Sequence, residues 1–300
     1  PRELALRVGG RALAMVKSRF RNFAVGSTML WITVFVVVPY LFVVLYSFLE
    51  RDPAAIIAWN FDLAGYREIF SPVFLVVCWY SLLLALGTTV ISLLAGYPFA
   101  FILARMPRPL QRMGLLLMII PFWTSSLIRT YALIILMKAN GIINTALLSL
   151  GLIEEPLNML YTQTAVFVGL VYTLLPFMVL PLYTSIQKLD TRLIEAARDL
   201  GAANRHIFTR IIVPLTMPGI VAGSTMVFLP ALGLFYIPDL LGGAQTMLIG
   251  NFIKNQFLTT VNWPAGSAAS VVLTVIMCLF LYVYFLSSRK AHTSGMGDMA

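Results

Sequence analysis

The sequence carries little charge: only 11% of its 300 residues are Asp, Glu, Lys or Arg, whereas 60% are hydrophobic. Soluble domains have about 25% charged and roughly 45–50% apolar residues. A soluble core cannot hide this much apolar surface, so we expect lipid to surround most of the chain. The net charge of +9 does not indicate a nucleic-acid partner, because the basic residues are scattered among apolar runs. They are better explained as positive loops on one face of a membrane.

The sequence is also poor in residues that build metal or catalytic sites. Its two cysteines, Cys78 and Cys278, lie far apart inside apolar runs, which argues against a disulfide scaffold or a zinc site. There are only two histidines, His206 and His292. No GxxxxGK[ST] motif is present, so the chain does not bind ATP through a P-loop. We therefore expect no cofactor, no metal and no catalytic residue in this chain.

Long charge-free runs are what the sequence does contain, and a membrane-spanning helix needs about 20 apolar residues. Five runs are long enough, and a sixth qualifies if Arg129 is allowed within it. The six predicted spans are Asn22–Leu49, Ile69–Ala104, Met113–Met137, Pro156–Gln187, Ile211–Pro238 and Asn255–Ser288. Two shorter runs, Ala139–Ile153 and Leu240–Ile253, are predicted to be loops, surface helices or re-entrant pieces. The predicted fold is all-α, with six transmembrane helices.

The distribution of basic residues predicts the orientation of these spans. If the N-terminus is cytoplasmic, the inner segments hold 16 of the 21 basic residues, as the positive-inside rule requires. The chain then divides into a basic cytoplasmic segment (1–21), a six-helix transmembrane domain (22–288) and a cytoplasmic tail (289–300). Both termini are predicted to be cytoplasmic.

The longest predicted inner loop, residues 188–213, contains a short helix. Asp190 or Thr191 can cap its N-terminus, and Gly201 is a natural C-cap. Its apolar and small residues fall near helical spacing, on one face: Leu189, Leu193, Ala196, Ala197 and Leu200. Such a helix could insert into a groove of another protein. The alternative is a surface helix that lies along the membrane.

This loop resembles the EAA signature of ATP-binding-cassette (ABC) importer permeases, EAA-x3-G-x9-I-x-L-P. Glu195-Ala196-Ala197 is followed by Gly201 and by Ile211-Ile212-Val213-Pro214, with Val213 as the one departure. The resemblance implies the type I ABC importer permease fold. It also implies that Glu195, Ala196, Ala197, Asp199 and Gly201 form a coupling helix that docks into a separate ATPase. Two copies of that ATPase would bind the ATP and Mg²⁺.

Three further stretches, Pro121–Tyr131, Leu175–Tyr183 and Leu229–Gly243, resemble the permeases of spermidine/putrescine importers. This resemblance implies a second, related permease subunit, a periplasmic polyamine-binding protein and a location in the bacterial inner membrane. An importer of another small solute is the nearest alternative. A secondary transporter would need coupling groups near the midplane or an inverted repeat, and neither is evident.

A polyamine site should offer carboxylates for the ammonium groups and aromatic faces for the methylenes and cation–π contacts. Phe235, Tyr236 and Asp239 supply these groups near the end of the fifth span, and Trp123 and Tyr131 add aromatic rings in the third. Two alternatives stay open. The aromatic residues could form the ordinary interfacial belt, and Asp239 could pair with Arg129.

Overall fold

The computed structural model describes residues 22–52, 56–243 and 246–297. The predicted N-terminal segment 1–21 and the last three residues of the predicted tail lie outside this part of the chain. Within it, six helical segments are long and apolar enough to cross a membrane. They are Asn22–Tyr46, Pro72–Arg105, Ser126–Ser149, Gln163–Gln187, Asn204–Gly233 and Trp263–Tyr282. The predicted number of spans is therefore confirmed.

The elements in chain order are α1 (Asn22–Tyr46), β1 (Leu49–Asp52), β2 (Ile56–Phe61), α2 (Ala64–Ile69), α3 (Pro72–Arg105), α4 (Arg108–Ile119), α5 (Ser126–Met137), α6 (Ile142–Ser149), α7 (Gln163–Gln187), α8 (Thr191–Asp199), α9 (Asn204–Gly233), α10 (Ile249–Leu258) and α11 (Trp263–Gly297). Single π-helical turns occur in α1 at Thr33–Val37 and in α9 at Phe208–Ile212. A third, Pro238–Gly242, follows α9 as a separate turn.

The spans differ from the prediction in their boundaries, most clearly at two places. The run Met113–Met137 is divided between α4 and α5, because Pro121 lies in a 3-10 turn (Ile120–Trp123) and Thr124 is extended. The third span then combines α5 and α6. It therefore includes most of Ala139–Ile153, a run that was predicted to be a loop, a surface helix or a re-entrant piece. Further on, the stretch from Asn255 to Leu258 belongs to α10 and not to the last span.

An antiparallel hairpin, β1–β2, interrupts the predicted all-helical pattern directly after α1. Its strands pair Glu50 with Ala58 and Asp52 with Ile56. A strand is recognised in a sequence from alternating apolar and polar residues. Residues 50–52 are all charged, so β1 shows no such alternation and was not predicted.

The core lies where α3, α7 and α9 pack together, and it contains buried residues of all three helices, such as Leu84, Val179 and Val227. Gly219 and Gly223 of α9 lie at the contact with α7. A Cβ at Gly223 would lie 2.9 Å from the Met178 carbonyl oxygen, so α7 and α9 approach nearly to backbone contact. By contrast, no residue of α1 belongs to this core.

Candidate functional site

The loop helix α8 has the ends that its sequence predicts. The Asp190 carboxylate accepts a hydrogen bond of 3.0 Å from the Arg192 amide, which caps the N-terminus. At the other end Gly201 has a φ of +80°, and the amide of Ala202 donates to the carbonyl of Ala197 over 3.0 Å. This is a Schellman-type ending, which satisfies backbone carbonyls that would otherwise lack a donor.

The apolar face of α8 is divided in a way that the sequence did not predict. Ile194 is only 5% exposed and packs on the membrane core, with Ala197 partly buried against the same core. Leu193 and Ala196 are exposed, and Leu200 is 88% exposed. Ala197 therefore differs in its surroundings from the exposed Leu193, Ala196 and Leu200, and the docking of these residues to an ATPase stays a prediction.

All four charged residues of α8 are exposed: Arg192, Glu195, Arg198 and Asp199. Leu200, the residue that follows α8, is exposed as well, so the outer surface of α8 is a small apolar patch among charged residues of both signs. Such a patch is suited to contact with another protein.

The second candidate site begins where α9 ends. Gly233 is its last residue, Leu234 and Phe235 leave the helix, and the chain turns again through Pro238–Gly242. The Asp239 amide donates to the Phe235 carbonyl over 3.1 Å, so the aromatic pair and the carboxylate belong to one turn. We call residues 234–242 the α9 break.

Asp239 forms an ion pair within this break. The Lys254 ammonium of α10 lies 2.6 Å from its Oδ2, and the two side chains are 27% and 33% exposed, respectively. The Asn251 amide of α10 donates to the other carboxylate oxygen. The carboxylate is thus held by one cation and one neutral donor.

The aromatic residues predicted for the site are only partly brought together. The rings of Phe235 and Tyr236 are in edge contact, with centroids 6.3 Å apart. Helix α5, which carries Tyr131, packs against the turn that contains Asp239. Trp123 is 82% exposed, and among the described residues neither its ring nor that of Tyr131 stacks on this pair.

The alternative in which Asp239 pairs with Arg129 is wrong. Arg129 places its guanidinium over the Phe122 ring, 4.6 Å from the centroid, while Asp239 pairs with Lys254. Lys254 was not predicted as the partner of Asp239, although the sequence contains a signal for this pair. It is the only basic residue from 211 to 288, and Asp239 is the only acidic residue from 200 to 297. Two lone opposite charges in an apolar stretch are expected to pair.

Six candidate spans, with a capped helix between the fourth and fifth that is exposed on one side, define a polytopic membrane protein. Residues 96–292 match the family described as the binding-protein-dependent transport system inner membrane component, and the chain belongs to this family. It is therefore a multi-pass inner-membrane permease of the ABC importer type.

Within that family the chain is similar to spermidine/putrescine transport system permease proteins PotB. It is 49% identical to that of Salmonella typhimurium over 272 residues, which cover 91% of this chain and 95% of the relative. It is 51% identical to that of Escherichia coli K12 over 259 residues, covering 86% and 94%, respectively. The relative from Haemophilus influenzae is 46% identical over 277 residues, covering 92% and 97%.

Solved structures support the fold. A chain of a bacterial ABC transporter that imports the acidic polysaccharide alginate superposes with a TM-score of 0.73 at 17% identity, covering 92% of this chain and 99% of that chain. The same type of transporter in complex with an alginate-bound periplasmic protein gives a TM-score of 0.70 at 17% identity, covering 91% and 96%. This likeness extends over nearly the whole permease and shows the architecture.

Proposed function

We propose that this chain is the transmembrane permease subunit of an ATP-driven importer of polyamines, with spermidine and putrescine as substrates. The relatives that bear those names are about half identical to it over most of its length. The proposal also depends on the chemistry of the α9 break.

The observation that carries the proposal is that Asp239 already binds an alkylammonium group. The Lys254 ammonium, on a chain of methylenes, lies 2.6 Å from its carboxylate. A polyamine presents the same group on the same kind of chain. Charge-assisted hydrogen bonds of this type contribute roughly 1.5–3 kcal/mol each when partly desolvated. The carboxylate is therefore suited to an amine and would repel an anion.

Aromatic residues supply the second requirement of a polyamine site. Phe235 is 44% exposed beside Asp239, and Tyr236 is half-buried next to it. Their faces would pack on the methylenes between two ammonium groups. We place Trp123 and Tyr131 further along the same path, on the break between α4 and α5 and on α5 itself.

Lys254 gives the site a defined state without substrate. A partly buried carboxylate left unpaired would be costly, and Lys254 removes that cost by serving as an internal ammonium.

ATP hydrolysis would be coupled to transport through the outer surface of α8. We infer that Glu195, Ala196, Asp199 and Gly201 contact a cytoplasmic ATPase, and that Ala197 supports the helix from within. Two copies of that ATPase would bind ATP and Mg²⁺, so this chain would carry no catalytic residue. A second, related permease and a periplasmic polyamine-binding protein would complete the importer. From the positive-inside rule we expect α8 and both termini to be cytoplasmic.

The test is uptake by the complete importer, reconstituted in proteoliposomes with its ATPase, second permease and binding protein. We expect ATP-dependent uptake of labelled spermidine that putrescine competes for and neutral polyols do not. Asp239→Asn should lower uptake by about ten- to a hundredfold while assembly and ATPase activity persist. Glu154→Gln, which neutralises an exposed carboxylate elsewhere, is the matched control. Full uptake by Asp239→Asn at normal yield would remove this carboxylate from the substrate path.

A further inference from the structure

We propose that Asn251 is a positioning residue for transport, which fixes the α9 break so that Phe235 and Asp239 keep their relative places. This inference rests on the proposed function of the break. Asn251 lies on α10 and is only 3% exposed, and it is the more buried of the two side chains that hold the Asp239 carboxylate.

The amide of Asn251 joins the two ends of one turn. Its Nδ2 donates to the Phe235 carbonyl over 2.9 Å and also to Oδ1 of Asp239. Both partners are acceptors only, so the NH₂ group has to face them. Its Oδ1 is buried and has no hydrogen-bond partner within the described residues.

The α9 break needs such a support because it is not a continuous helix. Helix α9 ends at Gly233, and Leu234 is extended, so the ladder of helical hydrogen bonds is interrupted between the core and Asp239. The Phe235 carbonyl accepts from the Asp239 amide and from Asn251, and the second bond ties the turn to a different helix. If Asn251 lost both of its donated bonds, Lys254 would be the one α10 residue among those described that still bonds to the turn.

Helix α10 is itself fixed at its N-terminus, so it can act as a rigid support. The Ile249 amide donates to the buried Ser81 hydroxyl of α3 over 2.9 Å. The neighbouring Gly250 lies so close to α9 that a Cβ there would be 2.6 Å from the Gly233 carbonyl oxygen. Asn251 follows directly, so its amide is held in register with both α3 and the end of α9.

The other end of α10 is anchored in a different direction. Gln256 donates to the Glu68 carboxylate over 3.2 Å, and Asn262 donates to the other oxygen of that carboxylate over 2.9 Å. Gln256 is a buried amide on the same helix whose bonds do not reach the α9 break. It therefore provides a matched control for Asn251.

The experiment measures the opening of the break independently of substrate. In a complex whose Cys78 and Cys278 have been replaced by serine, Ile237→Cys places a thiol at a fully buried position of the break. We expect slow labelling by a maleimide in the detergent-purified complex. Asn251→Leu, which keeps the branched shape and the number of side-chain heavy atoms and removes both donors, should speed labelling by about tenfold or more. Gln256→Leu should not.

Uptake is measured with the same Asn251→Leu and Gln256→Leu changes in the complex without Ile237→Cys. Asn251→Leu should lower spermidine uptake by about tenfold while ATP hydrolysis stimulated by the loaded binding protein persists, whereas a general folding defect would lower both together. Unchanged labelling and unchanged uptake per ATP in Asn251→Leu would overturn the inference. If the complex containing Ile237→Cys shows the labelling change but the importer transports no polyamine, the proposed function fails while the positioning by Asn251 stands.

A second variant decides the matter if Asn251→Leu does not assemble. The exchanged pair Asp239→Asn with Asn251→Asp keeps one amide and one carboxylate in contact, but it presents an oxygen to the Phe235 carbonyl. We expect rapid labelling of Ile237→Cys in this background at normal yield. Labelling as slow as in the parent would show that the bond to Phe235 does not hold the break, and would overturn the inference.

Discussion

The C-terminal turn of α8 gives the sharpest test of coupling, because Gly201 can be altered without any steric clash. Its φ is +80°, and a Cβ built on it meets no atom within 4 Å. The cost of Gly201→Ala is therefore the backbone cost alone, about 1–2 kcal/mol for an L-residue in the left-handed region. Asn tolerates that region much better, so Gly201→Asn is the matched control.

If α8 must keep this ending to dock, the strain weakens the contact with the ATPase. About 1–2 kcal/mol corresponds to a roughly five- to thirtyfold higher dissociation constant. We expect that increase for Gly201→Ala and a much smaller one for Gly201→Asn. The assay titrates purified ATPase against the detergent-solubilised permease pair, with uptake measured in parallel.

Two results would refute this reasoning. Wild-type affinity in Gly201→Ala would mean that the turn is not part of the docked surface. Equal losses in the Ala and Asn variants would mean that added volume, and not backbone conformation, is what the interface rejects.

Two more predictions each compare two residues that have different contacts in the structure. Ala196 is on the exposed face of α8, so Ala196→Arg should abolish stimulated ATP hydrolysis at normal yield. Ala197 faces the core, so Ala197→Arg should lower the yield of the protein itself. The reverse pattern would invert the assignment of faces. In a double-mutant cycle on the free energy of unfolding in micelles, Asp239→Asn and Lys254→Gln should couple by about 1 kcal/mol, because the pair is partly exposed. Asp239→Asn and Arg129→Gln should instead be additive within about 0.5 kcal/mol, and coupling there would contradict the observed pairing.

Local patterns were sufficient to predict the spans and the loop helix. A charge-free run of about 20 residues has only one stable arrangement in lipid, because its backbone groups must bond within the segment. The ends of α8 were predictable for a similar reason, since Asp190 and Gly201 act on atoms two to four residues away. Neither feature depends on what the rest of the chain does.

Other features depended on contacts between distant segments and could not be read from the sequence alone. Which face of α8 is buried depends on how the helix lies against the membrane core, and helical spacing gives a period but not a direction. The third span is similar: Pro121 marks a possible break, but only packing decides whether the chain continues through it or turns. The hairpin β1–β2 is a further example, because each of its short strands depends on pairing with the other.

The sequence by itself determined that this chain is a six-span membrane protein with a capped helix between its fourth and fifth spans, because hydrophobic length and capping are local properties. Only the tertiary structure decided the partner of Asp239. Electrostatic pairing depends on distance in space, and Arg129 and Lys254 were both available as cations. Helix α10, held against α3 and the end of α9, brings Lys254 and Asn251 to the carboxylate and leaves Arg129 over the ring of Phe122.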